Sequence, residues 1–238
     1  MILVPARGGS KRLPGKNLKV LGDRSLLARV ADTVADSGLD VAPILSTDDP
    51  AIAEEGRRLG MSVPFTRPAA ISDDASPTID AVLHALDWHK EAHGVDPDTL
   101  MLLQTTSPFR TGPLLRDAVT ALAGDPDAGS VIAMSDLHLP AGMVFGLATD
   151  GAATPVSAGA DRPALVPNGA LYLTRTAALR RERSLYAGRI LPVITNPLRS
   201  IDIDTPEDWR IAEALLAAGL PPATYEFSAG PSSKENVP

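Results

Sequence analysis

The 238-residue chain has no cysteine. Disulfides, thiolate zinc sites and a covalent thiol mechanism are therefore excluded. No apolar run approaches the length needed to span a bilayer, and the opening residues lack the charged head and long apolar region of a secretion signal. These absences predict a soluble, cytoplasmic protein. Two catalytic signatures are missing as well. Without HExxH, His89 and His93, four apart on a predicted helix, read as solvated surface, and His84 as a packing residue. Without GxSxG there is no serine-hydrolase elbow. A broad basic face is also lacking: the formal charge is −7, which argues against nucleic acid as a partner.

What is present suits one sizeable α/β domain and not two, with 44% hydrophobic and 21% charged residues. The charge is unevenly placed. Arg7, Lys11, Arg12, Lys16 and Lys19 all precede the first acid, Asp23, so the opening segment carries +5 and the remainder −12. Lysine is otherwise scarce, with only Lys90 and Lys234 elsewhere. A compact ammonium suits a phosphate oxygen, whereas arginine favours planar bidentate partners.

Apolar periodicity predicts strands alternating with helices. Strands are expected at MILVPA, VAPILSTDD, MSVPF, LMLLQ, SVIAMS, MVFGLA, ALYLT and RILPVIT. Helices are expected over 25–35, 50–59 and 76–93, from SPFRTGPLL through Leu122, and from Pro206 onwards. This pattern implies a three-layer α/β fold with a mostly parallel sheet, whose ligands gather at the carboxyl ends of the strands. RGGSKRLPGKN, STDD, QTTSPFR and DIDT should then share one edge. One domain is expected over 1–218, interrupted at about 136–167 by a flap or insertion rich in Gly, Ala and Pro. A flexible tail is expected over 219–238.

In RGGSKRLPGKN, Gly8 and Gly9 allow close backbone approach, so successive amides can point at one anion while Arg7, Lys11 and Lys16 add charge. Ser10 and Asn17 stand where a Walker A loop needs glycine and a hydroxyl, and the glycine spacing does not fit a dinucleotide fingerprint. Downstream, Asp202 and Asp204 are two apart on what should be an extended end of the sheet, which puts both carboxylates on one side. Two hard oxygen ligands suit Mg²⁺. Capping of the last helix by Asp204 or Thr205 is the competing explanation, and it leaves Asp202 without a role.

PARGGSKRLPGKNLKVLG resembles the signature opening of the CMP-N-acylneuraminate synthetase family of cytidylyltransferases. STDDPAIAEEGRRLG, VPFTRPAAISDDASPTIDAVLHAL, LLQTTSPFR with NGALYL, and SIDIDTPEDW come after it in the family's order. The resemblance implies a Rossmann-like nucleotidyltransferase fold, a homodimer with the inserted segment in dimerisation, CTP, Mg²⁺ and a small acidic acceptor. It assigns Arg7 and Lys16 to the triphosphate, supported by Ala6, Gly8, Gly9 and Ser10. Asn17 falls near the nucleotide sugar, and Arg67 and Thr78 around the cytosine. Gln104, Asn168 and Tyr172 fall on the acceptor side. A surface salt bridge for Arg67, a turn role for Asn168 and a core position for Tyr172 remain open.

The chain departs from the family pattern in places. Thr105 and Phe109 replace the proline and leucine of LLQPTSPLR. On the acceptor side the usual lysine is missing, and Arg162 is the candidate for the missing arginine. The expected reaction is CMP transfer to a nonulosonic acid. Transfer to a small phosphonate and a CTP-binding module without catalysis are the alternatives.

Overall fold

The computed structural model describes residues 1–147, 149, 152–156, 162–221 and 223–227. In chain order the elements begin with β1 (Ile2–Pro5), β2 (Val20–Leu21), β3 (Arg24–Ser25), α1 (Leu26–Ser37), β4 (Ile44–Ser46) and α2 (Pro50–Arg58). Then come α3 (Thr78–His93), β5 (Thr99–Leu102), α4 (Gly112–Gly124), β6 (Ala128–Pro140), β7 (Phe145–Leu147) and β8 (Ala153–Pro155). The last are β9 (Pro163–Arg175), α5 (Thr176–Glu182), β10 (Arg189–Thr195), α6 (Pro206–Ala218) and β11 (Tyr225–Phe227).

Among the described residues the main sheet has seven strands in the order β11-β10-β6-β9-β5-β1-β4. β1 runs parallel to β4 and β5, and β6 runs parallel to β10. β9 is antiparallel to both of its neighbours, and β11 is antiparallel to β10. The sheet is thus mostly parallel, as expected.

Strand side chains alternate between two cores, as a sheet covered on both faces requires. Ile2 and Val4 pack with Leu27, Val30 and Leu115 of α1 and α4, whereas Leu3, Leu100 and Leu102 pack with Val82 and Leu86 of α3. A third, smaller core lies beneath the first loop, where Leu13, Leu21, Leu26 and Phe109 meet Ile203 and Trp209. Helix ends obey local chemistry. Ser25 caps α1, Asp49 caps α2, and Thr205 with Asp208 forms a capping box on α6.

Three expectations need correction. MSVPF contributes one isolated bridge, Ile44 to Ser62, rather than a strand. Residues 201–204 are no sheet end but an irregular segment tied by the Ile203 amide to the Thr106 carbonyl at 2.8 Å. The tail expected from residue 219 includes β11, because Tyr225 and Phe227 pack on the first core and the Tyr225 hydroxyl donates to Asp117 at 2.8 Å. The rest of the expected tail, 228–238, lies outside the described residues, as does part of the expected flap (148, 150–151 and 157–161). The described part of the flap consists of the long outer ends of β6 and β9 and the small β7–β8 ladder.

Replacing Tyr225 with Ala should lower unfolding free energy by about 2 kcal/mol, through lost packing and the lost bond to Asp117. Denaturant unfolding checks this, and an unchanged midpoint would return 219–227 to the status of a dispensable tail.

Candidate active site

The carboxyl ends of β1, β4 and β5 open at the same edge, and the loops beyond them surround a cavity of about 290 Å³. Its lining includes Ala6, Arg7, Lys16, Asn17, Arg67, Thr78, Gln104, Asp202 and Asp204. Nine positions expected from sequence therefore meet at one place. The edge of a mostly parallel sheet is where such convergence is physically favoured.

Each cation in the first loop is held by a carboxylate, with one exception. Arg7 Nη2 lies 2.5 Å from Asp74 Oδ1, and Lys11 Nζ lies 2.9 Å from Asp74 Oδ2. Arg12 and Lys16 share Asp204, at 2.6 and 2.7 Å. Lys16 also donates to the Ile203 carbonyl at 3.2 Å. Lys19 is the exception: its ammonium sits 4.4 Å over the Trp209 ring, so it anchors the loop to α6 instead of facing phosphate. The backbone differs from the simple expectation too. The Gly8 amide donates to Asp48 at 3.0 Å and the Ser10 amide to the Gly8 carbonyl, so neither points at a common anion. Gly8 is needed for close approach, since a Cβ there would lie 2.5 Å from Asp49 Oδ2. Gly9 and its neighbours shape the turn at the rim without lining the cavity.

Arg67 is 6% exposed, which excludes a surface salt bridge. Its nearest carboxylate, Asp48, is 3.6 Å away, and Nε and Nη2 have no hydrogen-bond partner. Burial lowers its pKa, with Asp48 opposing. Arg7 Nη1 is likewise buried without a partner. Buried guanidinium nitrogens left open beside a cavity are unusual unless a ligand completes them.

The two aspartates differ. Asp202 faces the open cavity, yet desolvation by the surrounding protein raises its carboxyl above the usual range, with Asp204 and Asp208 adding to the effect and Thr106 and Lys16 opposing it. Desolvation also acts on Asp204, but hydrogen bonds and charge from Lys16 and Arg12 outweigh it and leave the pKa below the usual value. Thr205, not Asp204, caps α6. Among the described residues no group of three or more His, Cys, Asp or Glu is placed to hold a metal.

The acceptor-side positions separate. Gln104 lines the cavity. Gly169 makes room for it: its φ is +78°, and a Cβ would lie 2.7 Å from Gln104 Oε1. Asn168 is buried, donates to Ser135 and Thr195 at 3.1 and 2.7 Å and accepts from the Ala170 amide, which makes it a structural turn residue. Tyr172 sits in the second core, edge-on to Tyr186 at 5.9 Å, and burial pushes its phenol well above the ordinary value. Arg162 lies beside Asp136 and His138 in a separate surface depression, so it does not replace the missing arginine at this cavity. Beyond the expected set, Arg12, Asp73, Asp74, Ser76, Thr105 and Thr106 also line the cavity. The signal for the acids was the polar run SDDAS just after Arg67.

Arg7, Arg12, Lys16 and Arg67 gathered around one cavity suit a polyphosphate whose leaving group gains charge. The family model described as cytidylyltransferase matches residues 1–142. The chain belongs to the cytidylyltransferase family. It is thus a nucleotidyltransferase enzyme that uses CTP, with the α/β nucleotidyltransferase fold. The chain is 31% identical to the CMP-N,N'-diacetyllegionaminic acid synthase of Legionella pneumophila, over 91% of its own length and 95% of that protein. It is 28% identical to the N-acylneuraminate cytidylyltransferase of Streptococcus agalactiae over 87% of its length, and spans about half, 51%, of that longer protein. A solved CMP:2-keto-3-deoxy-manno-octonic acid synthetase shares the fold of this cytidylyltransferase with a TM-score of 0.67 at 19% identity, covering 91% of this chain and 98% of that one. No helix among the described residues is long and apolar enough to cross a membrane.

The two aspartates should behave oppositely in stability. Asp204 has a depressed pKa, so it contributes stability above the ordinary carboxylate pKa that is lost as pH falls through the depressed value. Asp204→Asn should cost about 1 kcal/mol or less at pH 7, and the loss should shrink on acidification. Asp202 has a raised pKa, so its ionised form is disfavoured in the folded state, and Asp202→Asn should hold or raise the unfolding midpoint at pH 7. Denaturant melts across pH check this, and equal losses in the two variants would contradict it.

Proposed function

We propose that this cytidylyltransferase joins CMP from CTP to a sialic-acid-like nonulosonic acid, as a Mg²⁺-dependent homodimer in the cytoplasm. One observation carries the reading: a single cavity brings Arg7, Arg12 and Lys16 of the first loop, the open nitrogens of Arg67, Gln104 and the Asp202/Asp204 pair to one another. The names of the legionaminic and N-acylneuraminic acid relatives support the acceptor class.

In the reaction an acceptor hydroxyl oxygen attacks the α-phosphorus in line and releases its proton to solvent, while the bond to the oxygen bridging to the β-phosphate breaks and pyrophosphate leaves. Arg7, Arg12 and Lys16 neutralise the leaving group, with Lys11 at the rim. Asn17 faces the sugar, Arg67 and Thr78 the base, and Gln104 the acceptor. The donor set fits magnesium, which takes one or two carboxylates together with substrate phosphates. Burial is what raises the Asp202 carboxyl above its ordinary value, and its side chain lines the cavity beside Asp204. Asp202 and Asp204 would hold the ion, which when bound supplies charge against the phosphate oxygens. For the homodimer, support comes from the flap at the β7–β8 ladder, where Met143, Phe145, Leu147 and Val156 are 58–81% exposed.

The test is pyrophosphate release from CTP and Mg²⁺ with a panel of nonulosonic acids and small phosphonates. Turnover is expected with a nonulosonic acid, loss on chelation, and a fall of about 10²-fold or more in Asp202→Asn. Turnover with phosphonates alone overturns the acceptor class, and chelator-resistant turnover overturns the metal. Light scattering should give twice the chain mass, and a monomer overturns the dimer.

A further inference from the structure

Thr105 stands where the family pattern has proline, and in this chain it makes a contact that proline lacks. Its hydroxyl lies 2.6 Å from Asn17 Oδ1, and Asn17 Nδ2 donates to the Arg7 carbonyl at 2.9 Å. A carbonyl only accepts, so Arg7 fixes which end of the Asn17 amide faces it. The Thr105 hydroxyl must then be the donor to Oδ1. Both residues are nearly closed to solvent, Thr105 at 3% and Asn17 at 4% exposed, so an unmade bond between them would go uncompensated. The Asn17 backbone is held as well, because the Leu27 amide donates to its carbonyl at 3.0 Å. Side chain and main chain are both fixed, and one Nδ2 proton remains uncommitted. Asn17 and Thr105 line the cavity side by side.

We propose that Thr105 is a positioning residue that locks the Asn17 amide so that its remaining N–H is presented to a hydroxyl oxygen of the CTP ribose. The lock links the end of β5 to both ends of the first loop, because Asn17 reaches Arg7 across the turn. It rests on the CTP reading above. Without the hydroxyl the Asn17 amide is held at one end only, and the sugar contact loses its fixed direction.

Calorimetric titration of the full chain with CTP, 2′-deoxy-CTP and 3′-deoxy-CTP tests this. Thr105→Val should weaken CTP binding about 3- to 10-fold, the worth of one hydrogen bond, and Thr105→Ser should restore it. For the deoxy analogue that lacks the contacted oxygen, the Thr105→Val penalty should fall below about twofold. Thr105→Ala repeats the comparison should the valine variant not fold. Unchanged CTP affinity in the variants overturns the proposal, as does an equal penalty for CTP and both deoxy analogues, which would mark a purely structural bond. If the unmodified chain does not bind CTP at all, the functional reading itself fails, and that outcome is separate from an unmodified chain that binds and variants that bind equally well.

Discussion

Positive charge concentrated at the head of one strand must be neutralised by something. Arg7, Arg12, Lys16 and Arg67 converge on one cavity, and like charges at such range repel unless anions intervene. In the free protein Asp74 and Asp204 supply that charge, and Asp48 stands near Arg67 without reaching hydrogen-bond distance. The fold is arranged to hold these groups in place. The third core anchors the loop from below, Lys19 packs over Trp209, and the Asp48 carboxylate fixes Gly8.

Binding a triphosphate is then an exchange. In the proposed function, phosphate oxygens take Arg7 and Lys11 from Asp74, and the affinity is then the difference between two sets of charge-assisted bonds. Asp74 belongs to an exposed turn braced by the Asp73 carboxylate, which accepts from Ala75 and Ser76, so it can give way without disturbing the sheet. Arg110 presents the opposite case. Burial lowers its pKa to about 9, and its Nη2 is committed to the Gln104 carbonyl, so it braces the Gln104 side of the cavity from beneath.

The layered fold was legible because strands buried on both faces read as short apolar runs and helices as periodic ones. The shared edge was legible because polar sets come directly after the strands. Lys16 could be placed from residue type, whereas the Asp202/Asp204 pair reaches the cavity from an irregular segment and not from the sheet end that its spacing suggested. The features that escaped depended on long-range packing. No local pattern shows that Asp74 reaches back to Arg7, 67 positions earlier, or that Lys19 prefers a ring to a phosphate. β11 escaped because three residues after a proline-rich stretch of sequence carry little periodicity, and pairing with β10 makes them a strand. Arg162 was misplaced because a chain that leaves the regular alternation after β6 gives no register for the residues between there and β9.

In the proposed function the loop cations grip the terminal phosphates of the nucleotide. Comparing CTP with CMP binding by calorimetry tests it most directly. CTP should bind at least about 100-fold more tightly than CMP, because only CTP reaches the cations that Asp74 and Asp204 otherwise hold. Equal affinity for the two nucleotides would mean that the loop cations do not hold the terminal phosphates.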